Sequence, residues 1–224
     1  MKPVVRIEGL TKIYKRGFWG RKVTALKNLS LEIQPGEIFG FLGPNGAGKT
    51  TTLKILLRII YPTAGRAWIM DQEISGDSIR QRVGYMPENP YFYRFLTGEE
   101  FLHFYCALAE IPRTDRQRKV NELISQVGMD HARHARIGEY SKGMTQRIGL
   151  AQALIHDPEI ILMDEPMSGL DPIGRYEMRE LVLQLRERGK TIFFCSHILS
   201  DVESICERVA ILHKGQLRRL GLIS

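Results

Sequence analysis

Long apolar stretches are missing from this sequence of 224 residues. The longest, such as Ile160-Ile161-Leu162-Met163 and Ile192-Phe193-Phe194-Cys195, fall far short of the roughly 20 residues that cross a bilayer. No segment is therefore expected to span a membrane. Lys2 and Arg6 are followed by no apolar run of signal-peptide length, which argues against a secretory leader and for the cytoplasm. Cysteine is scarce: Cys106, Cys195 and Cys206 form neither a close metal-ligand pattern nor an even disulfide set, so buried reduced thiols are expected. Repeats, low-complexity tracts and sustained heptads are absent as well. The net charge of +7 is scattered over small clusters, Lys12/Lys15/Arg16/Arg21/Lys22, Arg113/Arg116/Arg118/Lys119 and Arg218/Arg219. Without a basic platform interleaved with aromatics, nucleic acid is not an expected partner. A solvated charged surface is one reading of these clusters; the other is work beside an anionic leaflet, where each Lys or Arg adds on the order of 1 kcal/mol.

What is present is 43% hydrophobic content, enough for one sizeable core. The most informative stretch is Gly43-Pro44-Asn45-Gly46-Ala47-Gly48-Lys49-Thr50, continued by Thr51. It follows the apolar run Ile38-Phe39-Gly40-Phe41-Leu42 and precedes Leu53, Leu56, Leu57 and Ile60 at helical spacing, so it joins a buried strand to an amphipathic helix. Glycines there let backbone N–H groups turn inward around a polyphosphate, helped by the positive end of the helix. Lys49 can reach the terminal phosphates as a point charge, and Thr50 offers a hydroxyl to Mg²⁺.

Upstream, residues 4–10 and 29–33 read as two strands of an antiparallel flap around a loop with Gly17 and Gly20. Tyr14 stands between them, with Phe18 and Trp19 nearby, either stacking on a nucleobase or packing under the flap. Downstream, Pro62 and Gly65 end a segment, and 67–70 and 83–88 read as strands. From about residue 99 the pattern turns helical: Phe101, Leu102, Tyr105 and Leu108 share one face, and Val120, Leu123, Ile124 and Val127 another. Residues 88–157 are accordingly assigned to an inserted helical subdomain, with 1–87 and 158–224 as the core of a single domain. Ser141 reads as the N-cap of a helix carrying Ile148, Leu150, Ala151 and Leu154, and Gly143 allows close backbone approach.

The run at 160–163 ends in Asp164-Glu165, placing two carboxylates at the C-terminal end of a central parallel strand, where α/β sheets bind ligands. Asp164 can complete a Mg²⁺ shell and Glu165 can take a proton from an attacking water or orient it. A neighbouring strand at 191–195 delivers Ser196-His197 to the same edge, where His197 can contact a γ-phosphate. Residues 209–217 read as a β-hairpin.

In their order along the chain, these residues resemble the ATP-binding subunit of an ABC transporter over essentially the full length. The motifs are the phosphate loop 43–50, Glu88 at the Gln-loop position, the signature at 140–144, Asp164-Glu165, the turn at 168–171, and His197. The resemblance implies an α/β fold with a P-loop (RecA-like) core and mostly parallel sheet, an N-terminal antiparallel β flap and an inserted α-helical subdomain. It implies ATP and Mg²⁺ as cofactors and hydrolysis of ATP to ADP and phosphate, with Glu165, His197 and Lys49 as catalytic residues. Tyr14 matches the adenine-stacking aromatic. Metal ligation falls to Thr50, Asp164 and Glu88. The resemblance also implies a head-to-tail dimer with a second copy, each ATP lying between one phosphate loop and the partner's Ser141 and Gly143. Asp171 would help the two faces communicate.

A separate permease would hold the dimer at the cytoplasmic face of the membrane, with the aromatics at Tyr91, Phe92 and Tyr93 as an expected contact. Two departures stand out: the signature reads Tyr-Ser-Lys-Gly-Met, and Glu88 replaces the usual glutamine. Both look like ATPases of ABC-2-type exporters, which leans the reading to export. Many such subunits continue beyond this hairpin, so truncation is one reading of the chain's end. The alternative function is a soluble ABC-type ATPase acting in translation or DNA maintenance, against which stand the single cassette and the lack of inserted coiled coils.

Overall fold

The computed structural model describes residues 2–16, 21–74 and 81–223, with backbone alone at Arg16 and Arg21. Gly17, Phe18, Trp19 and Gly20 lie outside the described residues. Two long antiparallel strands open the fold, β1 (Val5–Arg16) and β2 (Arg21–Ile33), paired from Val5↔Ile33 to Arg16↔Arg21. They are longer than the sequence suggests. Register shifts between Ile7 and Leu10, Leu10 and Lys12, and Lys12 and Ile13 break the two-residue alternation by which a strand is recognised. Tyr14 consequently sits in β1 opposite Val23 rather than on a loop.

The buried strand β3 (Ile38–Leu42) leads through the glycine-rich loop into α1 (Lys49–Leu56). That helix stops short of Leu57 and Ile60, because Arg58 takes a left-handed backbone (φ 55°) that a helix interior does not accept. β4 (Ala64–Ile69) pairs with β1, and β5 (Gln72–Glu73) with β4. Gly65 lies inside β4 rather than ending a segment. After β6 (Val83–Met86) come α2 (Gly98–Leu108), α3 (Arg113–Gln126) and α4 (Lys142–Ala153). The chain then alternates through β7 (Ile160–Asp164), α5 (Pro172–Glu187), β8 (Thr191–Ser196), α6 (Leu199–Ile205), β9 (Arg208–His213) and β10 (Gln216–Leu222).

The second sheet has the order β10-β9-β3-β8-β7-β6, parallel except where β10 returns against β9. Its central strands are buried on both faces, so successive residues feed two different cores. Phe39, Phe41, Ile160, Leu162 and Phe193 face the flap and α1, joining Ile7, Leu10, Leu26 and Leu53. There the Phe193 ring meets Phe39 and Phe41 edge-on, with centroids 5.8 and 5.0 Å apart. Ile38, Ile161, Met163, Ile192 and Phe194 face the other way, into a core shared with Phe101, Leu123, Ile148 and Val182.

All four residues predicted to share a face of α3, including Val127 at its C-terminus, are buried. On α2 the buried face holds Phe101, Leu102 and Cys106, whereas Leu108 is exposed at the last turn. Cys106, Cys195 and Cys206 are all buried and free. Among the described residues no helix is long and apolar enough to cross a membrane.

Candidate functional site

The loop between β3 and α1 turns on glycines in left-handed backbone. Gly46 (φ 79°) and Gly48 (φ 113°) take left-handed backbone, and a Cβ on Gly48 would stand 2.7 Å from the Ala25 carbonyl oxygen. The first helical hydrogen bond of α1 runs from Thr52 N–H to the Gly48 carbonyl (3.0 Å). The N–H groups at 48–51 therefore project beyond the helix end, where an anion is favoured. The loop is braced from behind: Gly215 N–H donates to Ala47 O (2.9 Å), and Lys27 N–H to Gly215 O (2.8 Å).

A lysine, a glutamate and a histidine converge at the mouth of this loop. Lys49 is buried; its ammonium donates to the Gly43 and Pro44 carbonyls at 2.6 and 3.4 Å. It also lies 3.1 Å from Glu165 Oε1, an ionic contact whose angles do not make a hydrogen bond. The other oxygen, Glu165 Oε2, is 2.8 Å from His197 Nδ1 and accepts from the His197 N–H at 3.3 Å. Glu165 reaches this position by adopting a left-handed backbone (φ 52°), with its own N–H on Cys195 O at 3.0 Å. Such a conformation in a residue with a side chain is strained, and strain of this kind collects at functional sites.

Asp164 ends β7 beside them. Burial raises its carboxyl above the ordinary range; a Thr50 hydrogen bond and Lys49 oppose this, while the charges of Glu165 and Glu88 add to it. Burial and the Asp164 charge likewise push the Tyr85 phenol up to about 12. Asp164 Oδ1 is buried without a hydrogen-bond partner among the described residues. A dehydrated carboxylate oxygen beside a threonine hydroxyl suits a hard divalent cation. Among the described residues no group of three or more His, Cys, Asp or Glu forms a metal cage, so an ion here would depend on few protein ligands.

These groups open onto a cleft of about 310 Å³ lined by Tyr14, Asn45, Lys49, Thr50, Glu88 and Glu165, with Gly46, Gly48 and Thr51 also on its wall. Tyr14 is half-buried, and the Lys12 ammonium stands 5.2 Å from its ring centroid. Glu88 is exposed, and its backbone carbonyl accepts from Gln146 Nε2 at 3.0 Å. Ser141 and Gly143 are elsewhere. They line a separate cleft of about 490 Å³ with Lys142, Leu170, Asp171 and Ile173, and none of the described residues lines both. Ser141 caps α4 by accepting from Met144 N–H (3.2 Å), and Asp171 caps α5 by accepting from Gly174 N–H (2.9 Å).

The fold thus gathers Tyr14, the loop residues, Lys49, Thr50, Glu88, Asp164, Glu165 and His197, and sets Ser141 and Gly143 apart. Two groups escaped the sequence. Gln146 is the buried amide of α4, a polar residue at an inward position that periodicity can flag. Arg175 bridges Asp201 (3.0 Å) and the Leu170 carbonyl (3.3 Å), and nothing in the sequence signals that pair.

Comparison with known proteins bears directly on this geometry. The ABC transporter family model matches residues 26–168. An uncharacterised ABC transporter ATP-binding protein of Synechocystis sp. is 54% identical over 224 residues, covering 99% of this chain and 63% of its own length. The bacitracin transport ATP-binding protein BcrA of Bacillus licheniformis is 40% identical over 220 residues, covering 97% of this chain and 69% of its own. A dimeric structure of the ATP-binding cassette MJ0796, in a post-hydrolysis state bound to ADP and Pi, matches with a TM-score of 0.88. It is 27% identical and covers 98% of this chain and 99% of that one. The chain therefore spans less than two thirds of the Synechocystis relative. With a family match over more than half its length, the chain belongs to the ABC transporter family and carries its ATP-binding cassette fold.

Proposed function

We propose that this chain is the ATP-binding and ATP-hydrolysing subunit of an ABC transporter, in which ATP-driven closure of two copies works a separate membrane permease. The observation that carries the reading is the row Lys49–Glu165–His197 at the mouth of the phosphate loop, with spacings of 3.1 and 2.8 Å. Backbone N–H groups of the loop and the Lys49 ammonium take the phosphates, and Tyr14 stacks on the base. Thr50 and Asp164 hold Mg²⁺, with Glu88 lining the same cleft; the ion, when bound, neutralises phosphate charge. Glu165 accepts or orients the proton of the attacking water, a general-base contribution of roughly 10²–10⁴-fold. His197 holds the Glu165 carboxylate through Nδ1 and faces the γ-phosphate.

Ser141 and Gly143 act on ATP held by the other copy. Their separation from the phosphate-loop cleft supports this division of labour, because a chain that presents the two halves in different clefts needs a partner to join them. Residues 88–157 form the helical subdomain and the remainder the nucleotide-binding core. The exposed rings of Tyr91 and Tyr93 offer the permease a contact at the cytoplasmic membrane face; Phe92, by contrast, packs against Phe101 at 4.6 Å. Glu88, the Tyr-Ser-Lys-Gly-Met signature and the 40% identity to a bacitracin transport protein favour an exporter.

The test is Glu165→Gln in the purified chain. ATP binding should persist, hydrolysis should fall by roughly 10²–10⁴-fold, and ATP should convert monomer to dimer in size-exclusion chromatography with light scattering. Wild-type turnover in the variant would overturn the assignment.

A further inference from the structure

One face of α4 carries Lys142, Gln146 and Gly149, spaced four and three residues apart and so stacked along the helix. All three meet the same short segment, residues 88–92. Lys142 Nζ donates to Asn89 Oδ1 at 3.1 Å, and Gln146 Nε2 donates to the Glu88 carbonyl at 3.0 Å. Gly149 lies under Pro90 and Phe92, whose ring atoms come within 3.8 and 3.4 Å of where a Cβ would stand. Phe92 then abuts Phe101 of α2, with centroids 4.6 Å apart. The segment is seated on the helix at every step from 88 to 92, except at the fully exposed Tyr91.

Gln146 is the telling member. It is fully buried, yet its Oε1 has no partner among the described residues. The Glu88 carbonyl requires a donor, which fixes which end of the amide faces it. A buried amide satisfied at one end only is less stable than a leucine of similar length in the same place, so packing does not account for it. The Lys142 side chain also passes the turn after Glu165: its Cε is 3.9 Å from where a Gly169 Cβ would stand.

We propose that Lys142 and Gln146 are positioning residues that fasten the Glu88 segment to the helix led by Ser141 and Gly143, so that the two move as one piece. The inference rests on the functional reading above for what that motion accomplishes. A push on the exposed Tyr91, or a change of ligand beside Glu88, reaches Ser141 and Gly143 through this seat rather than through the sheet. The route is short, since Ser141 caps the same helix one residue before Lys142.

Lys142 is exposed, so Lys142→Met tests the seat without threatening the fold, and Gln146→Leu tests its buried end. Hydrogen exchange of the nucleotide-free chain should show a peptide covering residues 86–96 exchanging about threefold faster or more in each variant. Exchange in β3 and β8 should not change. For ATP hydrolysis by Gln146→Leu, whose side chain lines neither cleft, kcat should fall roughly two- to thirtyfold with KM unmoved. Asn89→Asp, which keeps a partner for Lys142, should retain wild-type values, and Asn89→Ala combined with Lys142→Met should be no worse than Lys142→Met alone. Unchanged exchange in both single variants overturns the proposal, as does a matching rise in KM or an additive double variant. Absence of ATP turnover in the wild type would instead sink the functional reading, and the exchange data would still decide the seat.

Discussion

Asp164 illustrates how a single side chain sets its stability and its use against each other. Burial lifts its folded-state carboxyl above the unfolded value of 3.8, so the folded chain binds that proton more tightly than the unfolded one. Its contribution is then favourable below the unfolded value, declines as pH rises through the window up to the folded value, and remains unfavourable at neutral pH. Asp164→Asn should therefore raise the neutral-pH melting temperature of the nucleotide-free chain, by about 2–4 °C for each kcal/mol relieved. Stabilisation by ATP that depends on Mg²⁺ should vanish in the same variant. Differential scanning calorimetry with and without nucleotide reads both, and a lower melting temperature without nucleotide would contradict the burial argument. At this scale the sequence was readily legible. The glycine loop, Lys49, Thr50 and the Asp164-Glu165 pair are local patterns whose spacing encodes their chemistry. Gln146 and Asp201 were not, because each matters only through a residue far off in the chain, Glu88 and Arg175 respectively.

Between elements, the ion pair of Arg175 and Asp201 clamps the start of α5 to α6, the helices that precede and follow the strand delivering His197. Asp201 has a side chain 8% exposed, and burial raises its carboxyl despite the facing guanidinium. The charge itself is therefore a cost, while the hydrogen bond is the gain. Asp201→Asn should leave urea-unfolding stability within about 1 kcal/mol of wild type, whereas Asp201→Ala should lose about 1.5–3 kcal/mol, the worth of a hydrogen bond to a charged group. Equal losses in the two variants would show that the charge, not the bond, holds the clamp. Element lengths were the least legible feature. β1 and β2 hid behind bulges that disturb alternation, and α1 ended early at a left-handed Arg58 that propensity does not foretell. The short buried strands β3, β7 and β8 were plain by contrast, since burial on both faces writes them as unbroken apolar runs.

For the molecule as a whole, one mostly parallel sheet serves two cores, its central strands sending side chains into each. Phe193 sits in the core on the flap side, between Phe39 and Phe41. Phe193→Ala should cost about 3–5 kcal/mol in chemical unfolding, while Tyr91→Ala, at a fully exposed ring, should stay within about 0.5 kcal/mol. A large loss at Tyr91 would mean that ring is structural rather than free for a partner. The layer order was legible from the alternation of strands and helices, but not the bracing of the phosphate loop by Gly215 and Lys27, which depends on how the hairpin packs against β2. The left-handed backbone at Glu165 has a further consequence for how this protein responds to selection. Glycine would occupy that conformation with a relief of roughly 1 kcal/mol. It would also leave the buried Lys49 ammonium without its carboxylate partner, a loss of about 3–5 kcal/mol that outweighs the relief. A library randomised at position 165 and screened for heat resistance alone should therefore keep a carboxylate there, so the strained backbone is held in place by the charge it presents.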